Sequence, residues 1–322
     1  TASVVDTITN SGTFTKSGAS TISNTATATY YVLSNTGTAN LNEGNITASY
    51  RAVNNGTAGK LNVAGATVLS TTANTVIYNS GTSTGTATPA VNISSGTVQS
   101  TGGYVIEHAS SGHVYITGGV ITTTGKDAIY ESSTGPVTIG ATGSTSTTSP
   151  DITGMIDGTS NSAGLITVNS GSVKGTTTNA IYSNGSIIVN GGNISSTKKY
   201  AIITSSASAK ITINDGNITS ANTYTVTTTN VVGGSIEING GNITKTGGTN
   251  AAVNNYLGTT IINGGVINSA GTGVYATSGT ITIGDNSNGV NTESPSITSA
   301  TFGVQVTTGT FNFYDGIMKG YT

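Results

Sequence analysis

The sequence predicts an all-β fold: a right-handed parallel β-helix (a β-solenoid) of about thirteen coils, as one domain over residues 1–322. Three observations predict it. First, a unit of one short strand, one corner and one further apolar residue recurs, as in Gly234-Ser-Ile-Glu-Ile-Asn-Gly-Gly-Asn-Ile-Thr244, Ile211-Thr-Ile-Asn-Asp-Gly-Asn-Ile218, Ile187-Ile-Val-Asn-Gly-Gly-Asn-Ile194 and Ile166-Thr-Val-Asn-Ser-Gly-Ser-Val173. Ile236 and Ile238 flank an outward Glu237, the period-two pattern of a half-buried strand, and the Asn-Gly-Gly that follows tolerates the positive φ of a tight corner. Second, the units repeat every 21 to 32 residues, the spacing of a solenoid turn. Third, charged residues are only 7% and Gly 46 residues, yet Ile and Val keep fixed places, which separates an ordered array from a disordered polar tract.

Aligned on the corner residue, the units fall at Gly12, Gly44, Ala66, Gly96, Gly119, Thr142, Gly171, Gly192, Gly216, Gly241, Gly265, Asn286 and Gly316. The strand pairs before them include Leu61/Val63, Val91/Ile93, Val114/Ile116, Val137/Ile139, Ile281/Ile283 and Phe311/Phe313, with polar or amphipathic residues between. In the first coil Thr7 and Thr9 stand in for the apolar pair. About ten residues past each corner a second strand reads small, branched, then polar or aromatic: Ala128-Ile129-Tyr130, Ala180-Ile181-Tyr182, Gly273-Val274-Tyr275. Together with the lone apolar residue after the corner this makes three short faces per turn. Parallel strands need crossovers, and these are right-handed.

Longer loops are expected near residues 140–164 and 284–300. Val137-Thr-Ile-Gly140 leads to Ser149-Pro150-Asp151-Ile152-Thr153, and Ile281-Thr-Ile-Gly284 leads to Ser294-Pro295-Ser296-Ile297-Thr298, a block duplicated together with its insert. Asn42, Asn169, Asn190, Asn214, Asn239 and Asn263 share one alignment column, where stacked amides can bond up and down.

Net charge is −2, and Arg51 is the one arginine; Lys198-Lys199 is the only basic pair, so no nucleic-acid surface is expected. The absence of cysteine excludes disulfides and thiolate metal sites. No apolar run approaches the roughly 18 residues of a membrane helix. The chain begins at Thr1, which suggests a processed or excised product of a longer parent.

The I-x-I/V-N-x-G-x-I/V unit and the closing Gly309-Thr-Phe-Asn-Phe-Tyr-Asp-Gly-Ile-Met-Lys-Gly320 resemble the secreted parallel β-helix repeats of bacterial surface and adhesin-like proteins, over nearly the whole chain. That resemblance implies display, adhesion or scaffolding at the cell surface or outside the cell, without catalysis or cofactor. The same fold hosts pectin-lyase-like enzymes, which implies carbohydrate binding or processing as the alternative.

Glycan hydrolysis needs paired carboxylates. Asp6, Asp127, Asp151, Asp157, Asp215, Asp285 and Asp315 look scattered, Asp215 and Asp315 as turn residues, and only Asp151 with Asp157 is close enough in sequence to suggest a pair. His108, His113 and Glu107 flank a corner that could hold a cation, but two surface histidines are the simpler expectation. Gly284-Asp-Asn-Ser-Asn-Gly289 has the oxygen ligands of a calcium loop without its closing glutamate. The Thr122–Thr124, Thr176–Thr178 and Thr227–Thr229 triplets recur too sparsely for a flat ice-binding array. Tyr30, Tyr31, Tyr78, Tyr130, Tyr182 and Tyr275 could offer aromatic steps to surface glycans. Neither terminal coil shows an amphipathic cap, and the Phe311–Met318 coil is the most apolar. End-to-end self-association, or continuation in a longer parent chain, is therefore expected.

Overall fold

A computed structural model describes residues 5–27, 29–160, 163–284 and 294–321. Asp285, Asn286 and the rest of the candidate calcium loop beyond Gly284 lie outside the described residues. Among the described residues there is no helix. A 35-stranded sheet winds into a parallel solenoid of about 12 turns. In chain order each turn lays down three faces, first seen as Ile8–Asn10, Thr13–Lys16 and Thr21–Asn24. Among the described residues thirteen rungs stack on each face. Four long strands, Lys60–Ser70, Val91–Ser100, Val226–Ile238 and Val253–Ile262, run round a corner and serve two faces each.

The alternation read from the sequence sets the register. On the second face Ile187, Ile211 and Ile236 stack, as do Val189, Ile213, Ile238 and Ile262. The lone apolar residue after the corner is the inward residue of the third face, in the run Val173, Ile194, Ile218, Ile243 and Ile267. Ile129, Ile156, Ile181 and Ile202 do the same on the first face. All are fully buried. Each contributes roughly 1.5–3 kcal/mol on burial, so the three ladders hold the rod together without a wider core.

Glycine turns the corner between the second and third faces. Gly192 and Gly241 have φ of 87° and 82°, and a Cβ on either would stand 2.8 or 2.7 Å from the carbonyl oxygen of the rung below. Beside them the asparagine ladder forms over five rungs. Asn190 Nδ2 donates to Asn169 Oδ1 (2.9 Å), Asn214 to Asn190 (2.7 Å), Asn239 to Asn214 (2.9 Å) and Asn263 to Asn239 (2.9 Å). Asn42 shares the column but not the ladder, because Ala64, Ser94, Thr117 and Gly140 follow the intervening strands. The two inserts leave this same corner after Gly140 and Gly284, and both return through proline: Pro150 O accepts from Ser172 N (2.7 Å) and Pro295 O from Ile317 N (2.8 Å).

The first coil corrects the expectation built on Thr7, Thr9 and Gly12. Phe14 and Lys16, not the threonines, register with Ala39 and Leu41 on the second face, and Ile8–Asn10 belongs to the first face. An inward lysine breaks the apolar pattern that the alignment followed. Lys16 is 5% exposed, and its ammonium reaches the carbonyls of Gly18 and Glu43.

A second ladder runs inside the wall, at the end of the first-face strands. Asn10 Nδ2 donates to Asn35 Oδ1 (2.7 Å), Asn35 to Asn55 (2.8 Å) and Asn55 to Asn79 (2.8 Å), and Asn79 Nδ2 meets His108 Nδ1 at 3.0 Å. His108 registers with Glu131 on the next rung, and both are fully buried. Among the described residues, neither carboxyl oxygen of Glu131 has a hydrogen-bond partner. Burial lowers the His108 pKa to about 4 and raises that of Glu131 to about 8, so both are neutral near pH 7.

Candidate functional site

Strand alternation turns the middle residue of each first-face strand outward. Register then places Tyr78, Glu107, Tyr130, Asp157 and Tyr182 on five successive rungs, tyrosine alternating with carboxylate. A neighbouring column comes from the residue that enters the strand: Arg51, Thr75, Tyr104 and Asp127, then Tyr200 and Tyr224 further on. Three of the expected tyrosines, Tyr78, Tyr130 and Tyr182, thus share one column, and Tyr275 extends it beyond Asn254. Tyr31 packs at an angle on Tyr50 instead, with centroids 6.3 Å apart.

The first half of the face is charged. Tyr104 and Tyr130 stack at 4.7 Å with 13° between planes, and Lys126 Nζ lies 4.6 Å from the Tyr104 centroid. Arg51 stands over Tyr78 at 4.7 Å and pairs with Glu107 at 3.3 Å, and Thr75 Oγ1 donates to the same Glu107 oxygen at 2.8 Å. Burial raises the Asp127 pKa to about 6; the Asp157 charge adds to this and Lys126 opposes it. The Tyr104 phenol is raised by burial first, then by Asp127, Tyr130, Asp157 and Glu107. Three carboxylates from three consecutive turns therefore surround one aromatic stack.

The second half is uncharged. Tyr200 and Tyr224 lie 6.1 Å apart and nearly parallel (6°), and Tyr256 meets Tyr224 edge-on at 6.2 Å and 88°. The Tyr224 and Tyr256 hydroxyls are 3.1 Å apart. Ile203, Thr227 and Thr229 complete a cleft of about 330 Å³. Across Tyr224 a second cleft of about 160 Å³ is lined by Thr249, Asn250, Thr272, Tyr275 and Gln305. Burial raises the Tyr224 pKa, helped by the hydrogen bond to Tyr256, and burial also raises that of Tyr200, so both phenols keep their protons.

The residues suspected from the sequence are mostly dispersed. Asp151 and Asp157 do not form a pair. Asp151 lies on the third face, 3.2 Å from Lys174 Nζ, while Asp157 lies on the first. Five intervening residues carry the chain round a corner between them. Asp215 and Asp315 each accept the next backbone N–H at 2.7 Å, the role of a turn residue. Glu107 points out and His108 in, as strand neighbours must, so they form no site with His113. His113 is also buried rather than on the surface, with Nε2 2.9 Å from Thr138 Oγ1. The threonine triplets fall on different faces. No three His, Asp or Glu side chains among the described residues come together to hold a metal.

Sequence reading missed Tyr104, Tyr200, Tyr224 and Tyr256, and the gathering of Glu107, Asp127 and Asp157. Part of the signal was present, since Tyr104-Val105-Ile106 and Tyr200-Ala201-Ile202 put tyrosine directly before the inward apolar pair. Comparison with protein-family models, with curated proteins and with solved structures finds no match.

Proposed function

We propose that this chain is a non-catalytic, extracellular structural β-solenoid: a surface rod, adhesin module or filament subunit that stacks end to end. The match between its two terminal coils carries the reading. Ile8, Phe14 and Ile22 are the inward residues of the first coil, and Val304, Phe311 and Met318 those of the last. Continuing the register by one rung from a second copy sets Ile8 on Val304, Phe14 on Phe311 and Ile22 on Met318. It also sets the aliphatic stem of Lys16 on Phe313. Phe311 and Phe313 are 41% and 46% exposed, so a covering coil, from a second copy or from continuation in a longer parent chain, removes a sizeable apolar surface from water. Such a contact is heterologous and does not close, so it propagates. The resemblance to secreted surface repeats supports the extracellular setting, and the lack of cysteine is compatible with it.

Changing Phe311 and Phe313 together to Lys is expected to convert end-to-end assemblies to monomers in sedimentation velocity and electron microscopy. A wild type that stays monomeric at high concentration, with an identical variant, removes end-to-end stacking from the reading.

Carbohydrate binding or processing is the second reading, favoured by the tyrosine column and by Asp127 beside Asp157. For processing, a protonated Asp127 would serve as acid and Asp157 as base. The carboxylates elsewhere are tied up: Glu107 by Arg51 and Thr75, Asp151 by Lys174. Accordingly no reducing ends or unsaturated products are expected from pectate, alginate or glucans. Turnover that disappears in Asp127→Asn would replace the non-catalytic reading with an enzymatic one.

A further inference from the structure

The neutral end of the tyrosine face has the chemistry of a particular ligand. Its polar groups are phenols, threonine hydroxyls and the amides of Asn250 and Gln305, which all donate and accept. No charged residue lines either cleft. Ile203, 5% exposed, supplies an apolar floor, and Tyr200, Tyr224 and Tyr256 form an aromatic wall with one right-angled bend. The larger cleft, about 330 Å³, stands at the small end of ligand-sized pockets. The two clefts share Tyr224 as their partition.

We propose that this pair of clefts binds a short, uncharged oligosaccharide laid across Tyr224, with one pyranose ring among Tyr200, Tyr224 and Tyr256 and the next beside Tyr275. This rests on the carbohydrate-binding reading and assigns it a place and a ligand class. A sugar ring presents C–H groups on its faces and hydroxyls round its edge. It therefore meets the aromatic wall and apolar floor with the first and the phenols and threonines with the second. Charged sugars find no counter-charge in the lining. A quaternary ammonium would also favour an aromatic corner, but it can neither donate nor accept a hydrogen bond and would leave the threonine hydroxyls of the lining unpartnered.

Among the residues of this face, Tyr275 contacts only the second ring and Tyr130 neither, which gives the test its arms. The chain contains no tryptophan, so its 14 tyrosines give the fluorescence and the variants assign a change to the site. Methyl glucoside, methyl galactoside and methyl mannoside, and linear neutral gluco- and manno-oligosaccharides, are titrated against the full chain by fluorescence and saturation-transfer NMR. Glucuronate and choline serve as charged probes. A neutral oligosaccharide is expected to bind more tightly than its monosaccharide. Tyr224→Ala should weaken both by about tenfold or more, equivalent to about 1.4 kcal/mol. Tyr275→Ala should weaken only the oligosaccharide, and Tyr130→Ala should change nothing. Thermal melts of the variants show whether a loss reflects the site or the fold, and Tyr224→Phe, which keeps the ring, should retain most of the binding. Binding that survives Tyr224→Ala but is lost in Tyr130→Ala leaves the carbohydrate reading standing and overturns this assignment. No neutral sugar binding at all overturns both, and a Tyr224-dependent response to choline or glucuronate alone overturns the ligand class.

Discussion

Ile238→Asp is expected to unfold the middle of the rod. Ile238 is fully buried, stacked between Ile213 below and Ile262 above. A carboxylate there is stacked between two isoleucines, and Lys210 on the adjoining rung points outward and pairs with Glu237. An unpaired polar group alone costs roughly 2–7 kcal/mol on burial, and a charge more. Each turn of a solenoid is stabilised by its two neighbours, so the damage spreads to adjoining turns. The result expected is a large drop in the urea midpoint with loss of β signal in circular dichroism. Ile238→Val, which removes one methyl, should cost about 0.5–1.5 kcal/mol. An unchanged midpoint for the aspartate variant would mean that Ile238 does not face the interior.

Stability is expected to fall as pH rises from 6.5 to 8, and Glu131 is the cause. Its pKa is raised from 4.5 in the unfolded chain to about 8 in the fold. Its contribution is therefore complete below pH 4.5 and is lost progressively until pH 8. His108 has the opposite sign. Its pKa falls from 6.5 to about 4, so its contribution is complete above pH 6.5 and is lost towards pH 4. Between pH 4.5 and 6.5 the two slopes offset each other. Asp127, raised from 3.8 to about 6, acts below the alkaline window, and His113, lowered from 6.5 by burial, titrates below it as well. At about 1.4 kcal/mol per pH unit, the loss due to Glu131 over this window is on the order of 2 kcal/mol. Urea melts across the range should show it, and Glu131→Gln should abolish it. A variant that keeps the slope would assign the proton to another group. His108→Asn should flatten the acid side, because an amide there extends the interior ladder.

Much of the architecture was legible because the physics of a solenoid is local and repeated. Ile-x-Ile followed by Asn-Gly-Gly specifies a strand and a corner wherever it occurs, so Ile238, Ile243 and the asparagines from Asn169 to Asn263 fell where the pattern put them. The same logic failed at Lys16, where a long side chain occupies an inward position by sending its ammonium back to the backbone. It also failed for chemistry between turns. Asp127 and Asp157 are thirty residues apart in sequence but one rung apart in space, whereas Asp151 and Asp157 are six apart and on different faces. The interior ladder was present as Leu33-Ser-Asn35, Val53-Asn-Asn55 and Ile77-Tyr-Asn79. Reading those asparagines as inward requires knowing that their amides satisfy one another, which is a property of the stack and not of any single strand.

The two asparagine ladders point in opposite directions. In the interior one each amide N–H is aimed at the following rung, from Asn10 through Asn79 to His108. In the surface one each is aimed at the preceding rung, from Asn263 down to Asn169, whose own amide ends on the carbonyl of Gly140 at 3.2 Å. The two chains of side-chain dipoles converge on the middle of the rod and largely cancel along its axis. A filament built by adding copies in one direction would therefore carry a polar backbone sense, yet accumulate little net electric moment from these side chains as it lengthens.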